Sequence, residues 1–177
     1  MTNTLTAQIP SRTASPALDF EALYRTARDD VYAYVATMLR DRGAAEDVTA
    51  AAFERAYRKQ RSYKPGRGSE RAWLFGIARN AALDELRRRK RAAALVAEPA
   101  DTGATPPEDA AETALRRAAV RVALTRIDPR ERELVALKFH AGLDNAEIAA
   151  VLGVSVSNAG TQLHRAMTKL REAVAHA

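Results

Sequence analysis

A polar, basic helix face near the C-terminus carries the residue types best suited to contacting DNA. Residues 144–171 have the spacing of two short helices joined by a tight turn. The outward side of the second helix has hydroxyl, amide, imidazole and cationic groups without an acid: Ser157, Asn158, Thr161, Gln162, His164, Arg165, Thr168 and Lys169. Such groups can bond to phosphates and base edges, so the pattern favours a DNA-binding helix-turn-helix. The alternative is an ordinary helical hairpin with a solvated polar face.

Signals at the ends of these two helices indicate how the chain would hold that face in place. Asp144 is a candidate N-cap, and Glu147, three residues later, can accept a hydrogen bond from the cap amide. Gly153 tolerates the left-handed backbone that ends a helix, and Ser155 can cap the helix that follows. Apolar residues at three- and four-residue steps supply a buried side for both helices.

A second group of cations lies upstream, in a loop rich in glycine and proline and in the helix predicted after it. The loop, RSYKPGRGS, spans residues 61–69, and its last residue, Ser69, can cap that helix. The candidate nucleic-acid contacts of this segment are Lys64, Arg67, Asn80, Asp84, Arg87 and Arg88. The cationic run 87–91 encircles a helix, so it cannot all lie on one amphipathic face. We interpret it as a phosphate-binding end; the alternative is a solvated helix end that complements the helix dipole.

Charge is distributed unevenly along the 177 residues, whose net charge is +6. Residues 20–91 hold 17 Lys and Arg against 10 Asp and Glu, and residues 114–177 hold 10 against 6. Residues 92–113 hold five acids and no base. Two basic modules separated by an acidic strip suggest two contacts with one polyanion.

Composition and periodicity predict an all-α protein of two small helical domains joined by a flexible linker, the C-terminal domain being the helix-turn-helix. Hydrophobic residues make up 47% of the chain, many of them alanine, and aromatic residues only 6%. The predicted boundaries are a disordered tail at 1–18, a first domain at 19–91, an acidic Pro/Ala linker at 92–113 and a second domain at 114–177. Within the first domain, Asp19 caps a helix expected to run to Gly43, and a second helix is expected from Ala44.

The sequence offers no enzyme site. His140, His164 and His176 lack the paired spacing of a metal site, and no serine has the surroundings of a nucleophile. Cysteine is absent, which excludes disulfides and thiolate ligands and is compatible with a cytoplasmic protein. We find no signal-peptide core and no apolar run of membrane-spanning length, so we expect a soluble protein without membrane insertion, metal or cofactor.

Taken together, the two modules resemble a bacterial extracytoplasmic-function (ECF) sigma factor, a two-domain promoter-recognition subunit of RNA polymerase. AAEDVTAAAFERAYR (44–58) resembles the region 2 segment that docks on core polymerase. RAWLFGIARNAALDELRRRKR (71–91) resembles the helix that holds the melted minus-ten element. Residues 127–172, which include LHRAMTKLRE, resemble region 4, whose last helix reads the minus-thirty-five element.

The resemblance implies roles for individual residues. Glu46, Asp47 and Phe53 would bind core polymerase. Asn80, Asp84 and Arg87 would face the minus-ten strand, and loop 61–69 would pocket an unstacked base. Thr161, His164 and Arg165 would face the minus-thirty-five duplex. The implied partners are core RNA polymerase, promoter DNA and an anti-sigma factor.

Two sites depart from the family pattern, and two other functions are compatible with the residues. Ala50 and Ala51 stand where Gln-Glu is usual, and Gly160 and Gln162 where Lys and Arg are common. One alternative is a simple DNA-binding regulator in which residues 20–91 form a sensor or dimerisation domain, although such a domain has no need of a basic loop and an arginine run. The other is a sigma-like protein that binds polymerase without opening promoters.

Overall fold

Seven α-helices in two groups make up the part of the chain described by a computed structural model, residues 18–95 and 111–175. The first group is α1 (Phe20–Leu39), α2 (Arg42–Lys59) and α3 (Glu70–Leu95), with 3-10 turns at Gln60–Ser62 and Pro65–Arg67 between α2 and α3. The second group is α4 (Ala111–Arg126), α5 (Pro129–Phe139), α6 (Asn145–Leu152) and α7 (Val156–Ala175). No strand occurs in these two ranges, so the all-α prediction is confirmed. The predicted tail, apart from Leu18, and linker residues 96–110 lie outside the described residues.

Small apolar side chains allow α1, α2 and α3 to pack closely around one core. Alanines at Ala27, Ala52 and Ala78 are fully buried where the helices meet. Tyr34 and Phe75 fill the space beside them, with ring centroids 5.5 Å apart in an edge-on arrangement. Each large apolar side chain buried in this way stabilises the fold by about 1.5–3 kcal/mol. The core therefore holds α3, which carries most of the candidate contacts of the first module.

The junction between α1 and α2 differs from the prediction. α1 ends at Leu39, and Arg40 adopts the left-handed conformation with φ of 56°. Asp41 then caps α2 by accepting a hydrogen bond from the Ala44 amide at 3.1 Å. Gly43, expected to end the first helix, lies instead in the first turn of α2. The aspartate cap determines the boundary, and glycine is not needed there.

The predicted caps of the C-terminal group are confirmed. Asp144 accepts from the Glu147 amide at 2.8 Å, and Glu147 accepts from the Asp144 amide at 3.0 Å. Gly153 ends α6 with φ of 69°, and Ser155 Oγ accepts from the Asn158 amide at 3.2 Å at the start of α7. These bonds satisfy helix-end amides that would otherwise lack a partner. They fix the turn between α6 and α7 and therefore the direction of the predicted DNA-reading face.

The two groups of helices pack against each other, which the sequence did not predict. α5 lies on α1, and α6 lies on α3. One continuous buried cluster includes Leu74 of α3, Leu134 of α5 and Ile148 of α6. A smaller cluster, which includes Ala123 and Leu170, joins α4, α5 and α7.

Candidate nucleic-acid interface

A cavity of about 650 Å³ opens between the basic loop and the first turns of α3. We call it the loop cavity. Its lining includes Tyr63, Lys64 and Arg67 from the loop and Trp73 and Asn80 from α3. It therefore combines aromatic surface, an amide and two cations, which are the groups that single-stranded nucleic acid contacts through its bases and phosphates. Three predicted minus-ten residues, Lys64, Arg67 and Asn80, meet at this one site.

Aromatic stacking and backbone bonds hold the loop in place beside α3. The ring centroids of Tyr63 and Trp73 are 5.7 Å apart. The Tyr63 hydroxyl donates to the Gly68 carbonyl oxygen at 3.2 Å, and Gly68 has φ of 130°, a conformation that favours glycine. Ser69 then caps α3 by accepting from the Ala72 amide at 3.1 Å. Burial and the charge of Glu70 raise the pKa of Tyr63 above its usual value.

Asp84 and Arg87 lie further along α3, outside the loop cavity. Asp84 accepts from Arg55 at 3.4 Å and from Arg87 at 3.2 Å. All three side chains are exposed. The carboxylate thus holds two arginines at the surface of α2 and α3, where their outer N–H groups remain accessible to phosphate.

Glu85 forms ion pairs with two arginines of the run that follows it. It accepts two hydrogen bonds from Arg88, at 2.7 and 2.8 Å, and one from Arg89 at 2.8 Å. Hydrogen bonds from these two arginines lower the pKa of Glu85 to about 2. Arg88, predicted to contact DNA, is 70% exposed but shares its guanidinium with this carboxylate. A phosphate at Arg88 would therefore compete with Glu85.

The predicted reading face of α7 is largely open to solvent. Its exposed members are Ser157, Asn158, Thr161, His164, Arg165, Thr168 and Lys169. Gln162 is half-buried, and its amide donates to Asn158 Oδ1 at 2.7 Å. Lys169 forms an ion pair with Glu131 of α5. Arg165 is also an exposed cation of this face, and the structure records no acidic partner for it among the described residues.

The predicted polymerase-binding residues of α2 fall in two different environments. Glu46 and Asp47 are exposed in the first turns of the helix. Phe53 is only 6% exposed, and its ring packs edge-on against Phe20 and Tyr24 at centroid distances of 6.4 and 4.8 Å. The ring of Phe53 thus supports α2 from inside the core, and its contact with polymerase stays a prediction.

Sequence reasoning missed several residues of the loop cavity. Trp73 had no predicted role in binding, and Tyr63 was predicted only as a member of loop 61–69, yet both line the cavity. Two aromatic residues flanking a basic loop are the signal that could have indicated them. Ala150 and Val151 of α6 form another part of the wall. No local pattern could indicate these two, because they come from the other group of helices.

The described residues hold no group of three or more His, Asp or Glu side chains arranged to bind a metal ion. None of their helices is both long and apolar enough to cross a membrane. The geometry thus comprises a cavity suited to a base, a basic helix end and an exposed recognition-type helix.

Comparison with known proteins shows to which family this chain belongs. The sequence model for sigma-70 region 2 matches residues 23–92, and that for sigma-70 region 4 matches residues 108–170. The RNA polymerase sigma factor CarQ of Myxococcus xanthus is 35% identical over 154 residues, which cover 86% of this chain and 87% of CarQ. The chain belongs to the ECF-type RNA polymerase sigma factors.

Further relatives support this assignment. The ECF sigma factor BldN of Streptomyces coelicolor is 33% identical over 89% of the sigma factor described here, which spans 61% of BldN. Among solved structures, the sigma factor RpoE of Bartonella quintana, in complex with the anti-sigma factor NepR, gives a TM-score of 0.77 at 23% identity and covers 88% of this chain and 96% of RpoE. CnrH in complex with the cytosolic domain of CnrY gives 0.64 at 24% identity, over 86% and 85%. The likeness in fold thus extends over both groups of helices.

Because region 2 accounts for the first group of helices, the sigma factor is not a simple regulator with a sensor domain before its helix-turn-helix. It is a transcription initiation factor with two sigma regions.

Proposed function

We propose that this sigma factor binds core RNA polymerase through the exposed start of α2, holds an unstacked minus-ten base in the loop cavity and reads the minus-thirty-five duplex with α7. The observation that carries the proposal is the loop cavity, which brings Lys64, Arg67 and Asn80 together around Trp73. A simple duplex-binding protein has no use for such a cavity.

The chemistry of the loop cavity supports base capture. A base pulled from the stack loses stacking and pairing energy, which an aromatic wall and hydrogen bonds can restore. Trp73 offers such a wall, and the Asn80 amide can both donate and accept at a base edge. Lys64 and Arg67 are exposed at the rim, where flanking phosphates would lie. Promoter melting would thus be driven in part by capture of one unpaired base.

The geometry of α7 supports duplex reading. Ser157, Asn158 and Thr161 lie in its first two turns, which are the part of a recognition helix that reaches base edges. His164 and Arg165 follow one turn later and can contact the backbone or a guanine. Residues 19–91 and 114–177 would then act as two DNA-contacting units on one promoter.

The assignment of partners extends to regulation. RpoE of Bartonella quintana is bound by an anti-sigma factor in its structure, and we propose a partner of that kind here. The sigma factor itself would carry out no catalysis, because polymerase supplies the chemistry. Its place of action would be the cytoplasm, where polymerase and promoters are found.

In vitro transcription with core polymerase tests the proposal. Adding the sigma factor should produce defined transcripts from genomic fragments, and permanganate should detect unpaired thymines at their minus-ten elements. Asn80→Ala should weaken the permanganate signal while duplex binding is retained. Asn145→Ala, which removes an exposed amide of α6 outside the cavity, is the matched control. Polymerase binding without promoter opening in the wild type would instead favour a sigma-like protein that does not melt DNA.

A further inference from the structure

The first residue of α7, Val156, is apolar and yet exposed to solvent. It is 52% exposed, although its three- and seven-residue spacing from Ala159 and Leu163 would place it on the buried side of the helix. We propose that Val156 contacts the 5-methyl group of a thymine in the minus-thirty-five duplex and so selects thymine at one position of that element. The proposal rests on the proposed function of α7 and names a chemical group that this helix recognises.

The exposure of Val156 follows from where α7 packs. The buried residues of this helix begin at Ala159, which is 1% exposed and lies about one turn after Val156. Gly153 ends α6 with φ of 69°, and Ser155 Oγ caps α7 by accepting from the Asn158 amide at 3.2 Å. The cap fixes the first turn of α7 without covering its side chains. Val156 is therefore held in a defined position outside the core.

The place of Val156 in the helix distinguishes it from an ordinary surface valine. Exposed valines are common on proteins, but the first residues of a recognition helix are those that reach base edges in the major groove. Its neighbours Ser157, Asn158 and Thr161 are exposed and polar. Residues 155–171 include no acid that would repel DNA. Val156 thus lies where α7 is expected to meet the bases.

The side chains nearby leave the valine accessible. Gly160 follows Val156 by four residues, which places it on the same side of the helix, and it has no side chain that could cover the valine. Asn158 and Gln162 lie on other sides of α7. Their amide groups bond to each other, with Gln162 Nε2 donating to Asn158 Oδ1 at 2.7 Å. An apolar group of the DNA can therefore approach Val156 directly.

Thymine is the base that offers such a group. In the major groove each base pair presents a pattern of hydrogen-bond donors and acceptors, and among the unmodified bases thymine adds a methyl group. Any other base would leave Val156 against a polar edge or water. Valine is branched at Cβ and has one strongly preferred rotamer in a helix, so little side-chain freedom is lost on contact. Val156 is thus suited to distinguish thymine from the other three bases.

Replacement of thymine by deoxyuridine, which lacks only the 5-methyl group, tests the contact. The probe is a promoter duplex taken from a genomic fragment that the holoenzyme transcribes. Each thymine of its minus-thirty-five region, on either strand, is replaced in turn. Holoenzyme affinity, measured by competition in fluorescence anisotropy, should fall about fourfold at one of these thymines. That loss equals roughly 0.8 kcal/mol, the value of one buried methyl-sized group.

Variants of Val156 show whether this residue contacts the methyl group. Val156→Ala should weaken binding of the unmodified duplex, and deoxyuridine at the sensitive position should then cost nothing more. Alanine is a better helix former than valine, so α7 should stay folded in this variant. Val156→Ile keeps a branched apolar side chain and should retain the fourfold difference. Val122→Ala, at a valine of α4 that is 45% exposed, is the matched control and should also retain it.

Two results would overturn the role of Val156: a wild type that binds every deoxyuridine duplex as tightly as the thymine duplex, or a Val156→Ala variant that keeps the full fourfold loss. The second would assign the methyl contact to another residue. Exchange of whole base pairs in the same region separates this failure from a failure of the proposed function. Sensitivity to base-pair exchange without sensitivity to deoxyuridine would contradict the role of Val156 alone. Insensitivity to both would contradict the reading of this duplex by α7 as well.

Discussion

Arg89 Nη2 lies 2.7 Å from Asp41 Oδ2, which joins the basic end of α3 to the residue that caps α2. Asp41 also accepts from the Ala44 amide at 3.1 Å. These two bonds, that to the backbone amide first, hold the pKa of Asp41 below its usual value. Glu46 and Asp47 follow in the next turn of α2. The proposed polymerase-binding residues are therefore positioned by the same arginine run that we assign to DNA.

We predict that Asp41→Ala lowers the melting temperature more than Asp41→Asn does. Asparagine can still cap α2 and loses only the charge opposite Arg89, whereas alanine loses both. Thermal unfolding monitored by circular dichroism gives the melting temperatures of both variants and of the wild type. Asp29→Asn, at an exposed aspartate of α1, is the control. Equal losses for the two Asp41 variants would mean that the cap contributes nothing to stability.

The low pKa of Glu85 predicts a pH dependence. Because Arg88 and Arg89 lower its folded-state pKa from 4.5 to about 2, its ionised form stabilises the fold above pH 4.5. That contribution should diminish as the pH falls from about 4.5 towards 2. The urea concentration at the midpoint of unfolding should be higher for the wild type than for Glu85→Gln at pH 6. The difference between the two midpoints should become smaller below pH 4. A gap independent of pH would place Glu85 outside the ion-pair network.

Replacing Gly76 by alanine should raise the stability of the fold and reduce the space in the loop cavity. It lies inside α3 and lines the cavity, and a Cβ built there meets no atom within 4 Å. Gly76→Ala should stabilise the fold by about 0.5–1 kcal/mol, since glycine is costly inside a helix. The added methyl should weaken the permanganate signal of the minus-ten element.

Gly160→Ala is the matched control for that experiment. Its Cβ would lie 3.4 Å from Asn145 Nδ2, and the site is in α7, away from the cavity. Denaturant unfolding should give a similar gain in stability, and promoter melting should be unaffected. If both variants reduced melting equally, the effect would come from helix stability and not from cavity space.

Arg165→Ala should weaken duplex binding and lower the salt dependence, so that the slope of log affinity against log salt falls by about one. Lys169→Ala should change the slope less, because Glu131 already neutralises that cation. Fluorescence anisotropy across a salt series measures both. A larger change in slope for Lys169→Ala than for Arg165→Ala would indicate that Lys169 leaves Glu131 and contacts phosphate.

Asp47→Arg should abolish assembly with core polymerase while duplex binding through α7 is retained. The side chain is exposed, so the substitution changes the surface charge and leaves the core unaltered. Gel filtration with core polymerase measures assembly, and Asp29→Arg on α1 is the control. Holoenzyme formation by Asp47→Arg would refute the assignment of this face.

Most helix ends were predictable because their signals are local; the end of α1, expected at Gly43, is an exception. The capping box at Asp144 involves residues three positions apart and forms as expected, and the structure shows a second capping box at Asp128. The contact between the two groups of helices was not predictable. Arg71 and Glu133 are charged residues of a type that usually faces solvent. Their partners in the other group of helices lie 54 to 99 residues away in the chain, and no periodic pattern connects them.

The loop cavity was predictable only in part. Its cations and Asn80 were predicted as contact residues because polar and basic groups are concentrated in that stretch of sequence. Trp73 has the spacing of a core residue, and only the placement of the loop beside it turns one side of its ring towards the cavity. Phe53, which the resemblance assigns to polymerase binding, packs against Tyr24 in the core, and its role stays a prediction.

The unbroken course of α3 has a consequence for how this protein could change during evolution. Asn80 and the arginines after it lie on one helix that continues to Leu95. Inserting one residue between them would move the arginines by about 1.5 Å and rotate them by about 100° to another side. Point substitutions cannot alter this spacing. Only the gain or loss of nearly whole turns, about 3.6 residues each, would lengthen the reach along the strand and keep its direction.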